Sequence, residues 1–386
     1  MIEKRTTRSG EARYEVRVRG TDGKERSRTF RTKKEAERYQ RAHHAAIDSG
    51  VWIDPRAGRV TLAAWAGEWQ RTVVHLRPKT RKIYDVNLRN HILPALGDYE
   101  LAKLTPSMLR AWLSDLNAKH GRRGRPIAAG TVAQAYRTLN RVLTGAVDDE
   151  LIGRNPLRGV KPPRVASEPM RFLTYDEVAS LAAAIDARYR ALVYVAAYTG
   201  LRAGELMALR RSHVDLLRRT VTVVEQVQYI GRRHVVSPPK SAAGRRSVAL
   251  PRLVADELEE HLRGLPDQSA EALVFPAPEG GYLHLENFRK RVWLPAVEQA
   301  GVAPLRLHDL RHTCASLAIA AAADVKVLQR MLGHASAALT LDRYGHLMPG
   351  QAESVAERLD VLARAAEPAP SPAVVSIGTG RRSAGA

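Results

Sequence analysis

Residues 307–344 constrain this chain most, because they place reactive side chains at fixed points of a helical pattern. His308 and Arg311 have i, i+3 spacing, so on a helix they share one face. An apolar run of helical spacing follows and meets Gly333, a residue type that often ends helices. The pattern therefore predicts that His334 lies just past a helix end.

The side chains of this segment suit chemistry on a phosphodiester. The planar guanidinium of Arg311 matches phosphate oxygens, and histidine can move a proton or donate a hydrogen bond near neutral pH. Tyr344 is a candidate covalent nucleophile, although a phenol of pKa ~10 needs activation. Two other interpretations are open: a solvated helix face with a surface tyrosine, or a zinc site using His308 and His312, for which no third ligand has suitable spacing.

The formal net charge of +21 on 386 residues points to a polyanionic partner. Nucleic acid is the first candidate, and an acidic membrane surface is the second. No apolar run reaches the ~18 residues of a spanning helix, and the start lacks a signal-peptide core. Cys314 is the only cysteine, so an internal disulfide and a cysteine-based zinc site are excluded. We expect a protein of the bacterial cytoplasm, associated with the chromosome and not with a membrane.

Residues 1–50 form a small basic unit in this interpretation. Two alternating runs flank Asp22-Gly23, which predicts a β-hairpin. Thr32 and Glu35 then form a capping box that starts a helix. Basic side chains alternate with apolar ones, so one sheet face should be cationic and able to contact DNA, unless it is only a solvated face. The candidate DNA contacts here are Arg13, Arg17 and Arg19.

Residues 60–163 have a helical pattern. Thr61 and Thr105 are predicted N-caps, and Pro106 suits the first position of a helix. Basic residues accumulate on the early helices and in the loops, where they could contact a nucleic-acid backbone. These candidates are Lys79, Arg81, Lys82, Arg122 and Arg123, together with Lys161 and Arg164 of the extended, proline-bearing linker at the end of this region.

Residues 170–365 mix helices with short strands. Arg202 follows a tight turn, so it either pairs with a buried carboxylate such as Glu205 or faces a site. The run RTVTVVEQVQY predicts one strand, and Lys240 lies in a turn between later strands. A short amphipathic helix follows Tyr344, and the Pro/Ser/Gly-rich residues 366–386 are predicted to be a disordered tail.

Taken together, these motifs resemble the tyrosine recombinases of the phage-integrase family. The matching motifs occur in the family's order, and we assign them as TGLRAGEL at 199–206, PKSAAGRRSVAL at 239–250, HDLRHT at 308–313, LGH at 332–334 and DRYGHL at 342–347. Residues 60–163 are similar to the family's core-binding domain, and residues 1–50 to the arm-binding domain of lambda-type integrases. The resemblance implies a multidomain, mainly α protein with small β-sheets: a three-stranded sheet plus helix, an all-α core-binding domain and an α+β catalytic domain.

The resemblance also implies a reaction. Tyr344 would attack the scissile phosphate and leave a 3′-phosphotyrosine and a free 5′-hydroxyl. Arg202 and Arg311 would hold the non-bridging oxygens, which agrees with the need for fixed cationic donors where charge develops. The covalent link would store the bond energy, so the resemblance implies no ATP, no metal and no other cofactor.

The remaining roles follow from the same resemblance. Lys240 would protonate the leaving 5′-oxygen, His308 would assist proton transfer at the tyrosine, and His334 would donate a hydrogen bond to the phosphate. Glu205 and Asp309 would support these groups without taking part in the reaction.

The implied partners are double-stranded DNA attachment sites, on which a homotetramer would act on two duplexes, with an excisionase or a host DNA-bending protein as candidate accessory factors. The arm-binding-like start favours integration and excision of a phage or another mobile element. Two alternatives are a type IB topoisomerase, which only relaxes supercoils, and a non-catalytic DNA-binding regulator or decayed integrase.

Overall fold

A computed structural model describes residues 1–7, 9–50, 52–54, 56–121, 124–165, 169–348 and 351–366, with only the backbone of 351–355. The chain divides into two compact units. The first is Met1–Pro169 together with Ile230–Arg233, and the second begins at Met170 and contains the remaining residues. The predicted tail, except Ala366, lies outside the described residues.

The first unit begins with the predicted small sheet and helix. Its strands pair antiparallel in the order β1-β2-β3, and a capping box of Thr32 and Glu35 starts the helix, as predicted. Val16 and Val18 are buried on the inner face of the sheet with Ala36 of the helix. The elements are β1 (Ile2–Thr6), β2 (Ala12–Arg19), β3 (Glu25–Phe30) and α1 (Lys33–Asp48).

The outer face of this sheet carries both signs of charge, so the prediction of a cationic face is wrong. Arg17 lies 3.6 Å from both Glu3 and Glu15, and Glu25 lies opposite Arg19 across the strands. Glu15 belongs to β2 itself, and the neighbouring strands β1 and β3 add Glu3 and Glu25 to the same face.

The rest of the first unit is helical, as predicted. Thr61 and Thr105 accept hydrogen bonds from backbone N–H groups of the helices that they cap. The Trp65 indole donates to the Val142 carbonyl at 2.9 Å inside the core, which ties the first of these helices to the last. The helices are α2 (Leu62–Thr72), α3 (Pro78–Asn87), α4 (Leu93–Leu96), α5 (Pro106–Ala118) and α6 (Ala129–Asp148).

The second unit packs helices around a large apolar core, with two small antiparallel sheets of order β4-β5-β8 and β6-β7. The run RTVTVVEQVQY forms β5 and β6 in different sheets, so the prediction of one strand is wrong. Its elements are α7 (Tyr175–Ala184), α8 (Arg190–Thr199), α9 (Ala203–Leu206), β4 (Val214–Asp215), β5 (Thr220–Val223), β6 (Gln226–Ile230), β7 (Arg233–Ser237), β8 (Arg246–Ala249), α10 (Arg252–Arg263), α11 (Leu285–Phe288), α12 (Leu294–Gln299), α13 (Asp309–Ala320), α14 (Val325–Leu332), α15 (Ala337–Tyr344) and α16 (Gln351–Ala366).

Within the part of the chain that the structure describes, no helix combines the length and the apolar character needed to cross a bilayer.

Candidate active site

Three arginines from different parts of the second unit meet at the C-terminal end of α14. Arg246 donates to the Met331 carbonyl at 2.6 Å, and Arg311 donates to the Leu332 carbonyl at 2.5 Å. Arg202 donates to the Gly333 carbonyl at 3.2 Å. The last carbonyls of a helix have no partner inside the helix, and the helix dipole makes this end negative. The helix end therefore gathers the guanidinium groups at one place.

Gly333 gives this helix its sharp end, as predicted. Its backbone is left-handed, with φ of +61°, and an added Cβ would lie 2.8 Å from the Ala243 carbonyl oxygen. A side chain is thus excluded by both backbone conformation and space. The turn directs the next residue, His334, into the interior, where it is buried.

Arg311 and Arg202 differ in their exposure. Arg311 is buried and also donates to the Gly200 carbonyl at 2.5 Å. Burial, together with the neighbouring positive charges of Arg202 and Arg246, lowers the Arg311 pKa to about 9. The Arg202 side chain keeps 35% of its surface exposed. Of these two cations, Arg202 is the one that a ligand can reach in the present conformation.

Glu205 is the carboxylate that holds the cations together. It accepts a hydrogen bond from the Arg202 guanidinium at 2.7 Å and from the Arg202 backbone N–H at 3.0 Å. Arg246 donates at 2.9 Å to Oε2, the oxygen that also accepts from the Arg202 backbone N–H. Burial by itself would raise the pKa of Glu205, but Arg246 and Arg202 lower it below its ordinary value. Arg202 therefore pairs with Glu205 and also remains partly exposed, which unites the two interpretations of the sequence.

Tyr344 ends α15 and is fully buried. Its hydroxyl forms a 2.7 Å hydrogen bond with Nδ1 of His312, which is also buried. Burial raises the pKa of the tyrosine, although the nearby Arg311 and Arg343 oppose this shift. The phenol is consequently protonated at neutral pH in this conformation.

The other two histidines flank this pair. The His334 ring lies parallel to the Tyr344 ring, with centroids 6.4 Å apart, and its Nδ1 is 2.9 Å from the Thr340 hydroxyl. His308 lies directly before α13, with its ring 5.1 Å from that of His312. Burial and nearby arginines lower the pKa of His334 to about 4 and also lower the pKa of His308. All of these imidazoles are expected to be neutral at neutral pH.

Several sequence interpretations can now be compared with these positions. The solvated-face interpretation is wrong, because the start of α13 and Tyr344 are buried. Among the described residues no group of three or more His, Cys, Asp or Glu side chains could hold a metal ion. Asp309 is buried and pairs with Arg306 at 2.8 Å. Cys314 is buried.

The hydrogen bonds and ring contacts above bring Arg202, Arg311, His308, His334 and Tyr344 together. Lys240 is exposed in the connection between β7 and β8. Its place in the reaction stays a prediction.

Sequence reasoning missed the roles of three polar residues. The sequence indicated no role for Thr340 or Arg246, and it suggested His312 only as a metal ligand. Each contacts a partner far along the chain or across a turn, which spacing alone does not reveal. The only available signal was that His312 directly follows Arg311 in a helix.

The candidate DNA contacts are mostly at the surface. Lys79, Arg81 and Lys82 are exposed on α3, and Lys161 and Arg164 are exposed in the segment after α6. On β2, Arg17 and Arg19 are exposed and Arg13 is half-buried. Arg122 and Arg123 lie outside the described residues.

Two family profiles match parts of this chain. Residues 171–350 match the profile described as "Phage integrase family", and residues 61–117 match "Phage integrase, N-terminal SAM-like domain". The putative prophage phiRv2 integrase of Mycobacterium tuberculosis is 31% identical over 363 residues, which cover 91% of this chain and 93% of that relative. The integrase of Mycobacterium phage L5 is 28% identical, over 87% of this chain and 90% of that relative.

Solved structures show the same fold. The Tn1549 transposon integrase in complex with a circular intermediate DNA aligns with a TM-score of 0.65 at 20% identity, covering 78% of this chain and 99% of that one. A lambda integrase tetramer bound to a Holliday junction aligns with a TM-score of 0.51 at 18% identity, covering 86% of this chain and 95% of that one.

Proposed function

Because this chain belongs to the phage integrase family, we propose that it is a site-specific tyrosine recombinase whose nucleophile is Tyr344. It cleaves and rejoins DNA, and its biological role is the integration and excision of a phage or another mobile element. The observation that carries the assignment of the nucleophile is that the Tyr344 phenol contacts His312 and His334 next to the end of α14, where Arg311 and Arg202 are anchored.

The reaction is an exchange of phosphodiesters. The Tyr344 oxygen attacks the scissile phosphorus, a bond forms between tyrosine and the 3′-phosphate, and the bond to the 5′-oxygen breaks. The phenol loses one proton and the departing 5′-oxygen gains one, so the strand ends as a 3′-phosphotyrosine and a 5′-hydroxyl. Attack by a 5′-hydroxyl from the partner duplex reverses the step, and no external energy source is needed.

The arginines stabilise the charge that develops on the phosphoryl oxygens. Arg311 is already oriented by two backbone carbonyls, so it reorganises little when charge appears. Arg202 is oriented by Glu205 and is partly exposed, which suits the first contact with a phosphate. In comparable phosphoryl transfers an arginine contributes about a thousandfold or more.

The histidines act as neutral groups. The Thr340 hydroxyl can donate to Nδ1 of His334, which leaves the proton on Nε2 available for a phosphate oxygen. His308 assists proton transfer near the tyrosine. Lys240, from its exposed segment, donates the proton that the leaving 5′-oxygen needs.

The nucleophile can be tested by trapping the covalent intermediate. The substrate is a nicked duplex that carries the junction sequence recovered by sequencing integration products. The wild-type protein should form a DNA adduct on a denaturing gel, with the mass shift on the Tyr344 peptide, and Tyr344→Phe should form none. Tyr175→Phe is the matched control, because this exposed tyrosine lies in the same unit.

The outcomes separate the alternatives. An adduct in Tyr344→Phe, or on another side chain, contradicts the assignment. Sequence-specific binding without any cleavage supports a regulator, and relaxation of plasmids that lack paired sites supports a topoisomerase.

Double-stranded DNA is the partner that the net charge of +21 favours. The exposed basic side chains of α3 contact phosphates in this proposal. Lys79→Ala and Lys82→Ala should weaken binding similarly for all sequences and reduce the salt slope by about one unit each. An unchanged slope would show that α3 does not contact the backbone. Glu68→Gln on α2 is a control at an acidic surface position.

The active assembly is a homotetramer on two duplexes. On α16, Leu359 and Leu362 keep 61% and 67% of their surface exposed, and a short helix with exposed leucines suits docking on a neighbouring protomer. Leu359→Lys with Leu362→Lys should abolish four-protomer complexes on junction DNA while preserving binding of one protomer to a half-site, as measured by mass photometry. Arg364→Lys is the control, and normal assembly of the leucine variant would contradict the role of α16.

A further inference from the structure

His312 has the closest polar contact with the reacting oxygen. Its Nδ1 lies 2.7 Å from the Tyr344 hydroxyl, both side chains are buried, and the rings are 5.8 Å apart. His308, to which the family resemblance assigns help at the tyrosine, contacts the ring of His312. The geometry thus places His312 between His308 and the nucleophile.

The direction of this hydrogen bond follows from protonation. Burial and the neighbouring His308 lower the His312 pKa to about 4, so the ring is neutral at neutral pH. The buried phenol is protonated, and it can donate to a neutral Nδ1 when the ring proton is on Nε2. The hydrogen bond therefore fixes the torsion of the hydroxyl and the direction of the lone pairs that must attack phosphorus.

His312 is also well placed to keep this orientation relative to the phosphate site. It directly follows Arg311 on α13, and the guanidinium of Arg311 is held by the carbonyls of Gly200 and Leu332. One rigid helix thus carries both an arginine of the phosphate site and the acceptor for the phenol, and His334 packs parallel to the phenol ring. Groups mounted on one packed helix hold their mutual geometry better than groups on separate loops.

We propose that His312 is a positioning residue of the recombination reaction, whose Nδ1 orients the Tyr344 phenol relative to the phosphate bound by Arg311. This inference rests on the proposed role of Tyr344 as nucleophile. It gives His312 a function on the nucleophile side of the reaction, separate from the protonation of the leaving group.

Two substitutions separate orientation from packing. His312→Asn places an amide oxygen close to the position of Nδ1 and keeps an acceptor for the phenol, whereas His312→Phe keeps a ring and removes the acceptor. In single-turnover cleavage of the nicked duplex described above, His312→Phe should be about tenfold or more slower, as expected for loss of one buried hydrogen bond in the transition state. His312→Asn should recover most of the rate.

A second substrate shows whether the site itself survives. DNA with a 3′-p-nitrophenyl phosphate can be joined to a 5′-hydroxyl without the tyrosine, because p-nitrophenolate leaves without a proton. In the Tyr344→Phe background, where only the 5′-hydroxyl can attack, both His312 substitutions should release p-nitrophenolate at rates close to that of Tyr344→Phe alone. A purely structural role of His312 predicts instead that His312→Phe loses this reaction too.

The outcomes distinguish this inference from the proposed function. The positioning role would be overturned if His312→Phe cleaved DNA as fast as the wild type or faster. It would also be overturned if His312→Asn did not recover the cleavage rate, or if p-nitrophenolate release were lost. If Tyr344→Phe still forms adducts, the proposed nucleophile is wrong, whatever the His312 variants do. If Tyr344→Phe forms none and His312→Phe cleaves normally, only the inference about His312 fails.

Discussion

The carboxylate of Glu205 should be the main electrostatic support of the site. Its side chain is 1% exposed, and that of Arg246 is 6% exposed. Removing one charge of a buried pair typically costs about 3–5 kcal/mol. The Arg202 side chain is 35% exposed, so solvent screens its interaction with Glu205. Loss of that interaction therefore adds at most about 1 kcal/mol. We expect Glu205→Gln to destabilise the second unit by roughly 3 kcal/mol, because the neutral amide leaves the Arg246 charge uncompensated.

This loss can be measured by calorimetry. A change of 3 kcal/mol corresponds to a fall in Tm of roughly 6–12 °C for a unit of this size. Hydrogen exchange should increase in α9 and at the end of α14, where the arginines are anchored. Glu257→Gln is the matched control, because Glu257 pairs with the half-exposed Arg190 at 2.6 Å; we expect an effect below about 1 kcal/mol.

The pH dependence of the free energy of unfolding tests the role of this carboxylate independently. The pKa of Glu205 is lower in the folded state than its ordinary value of 4.5. The carboxylate therefore contributes its full stability above about pH 4.5, and this contribution disappears as the pH falls through the folded pKa. The difference between wild type and Glu205→Gln should narrow in acid. An effect no larger than that of the control, or a difference that does not change with pH, would refute this reasoning.

Three further predictions concern the surrounding structure. Gly333→Ala should lower the free energy of unfolding by about 1–3 kcal/mol, because the φ of Gly333 is +61° and a carbonyl oxygen lies 2.8 Å from the added Cβ. Gly130→Ala is the control, because Gly130 lies in open surroundings on α6, and it should not lower the free energy of unfolding measured in urea. Burial raises the pKa of Cys314 to about 12, so iodoacetamide should modify it, by mass spectrometry, only after unfolding; rapid modification of the native protein would contradict its burial. The pKa values of His312 and His334 are lowered to about 4, so the unfolded chain binds more protons than the folded chain between about pH 4 and 6.5. The free energy of unfolding should therefore rise with pH across this window. A free energy of unfolding that does not change with pH in urea titrations would contradict this prediction.

Local structure was largely predictable from the sequence. The capping boxes at Thr32 and Thr174, the N-caps at Thr61 and Thr105, and the stop at Gly333 all occur as their residue types indicate. Each depends on hydrogen bonds or backbone conformation within a few residues, which the order of residue types specifies directly. The order of the motifs along the chain likewise identified the family.

The charge of the N-terminal sheet shows where local reasoning ends. The alternation along β2 correctly separates Arg17 from the buried Val16 and Val18. It does not reveal that Glu3 also lies beside that arginine, because the pairing of β1 with β2 decides which residues of the two strands share a face. The same limit explains why one predicted strand became β5 and β6 of separate sheets.

The residue types and their order show which side chains could react with a phosphodiester, but the packing of the helices fixes how those side chains are held. The guanidinium of Arg202 binds a carbonyl 131 positions away, and Tyr344 finds its partner in His312, 32 positions away. Such contacts depend on which helix faces pack together, and spacing along the chain carries no record of that packing. The burial of the phenol has the same origin, since it requires α13, α14 and α15 to be assembled.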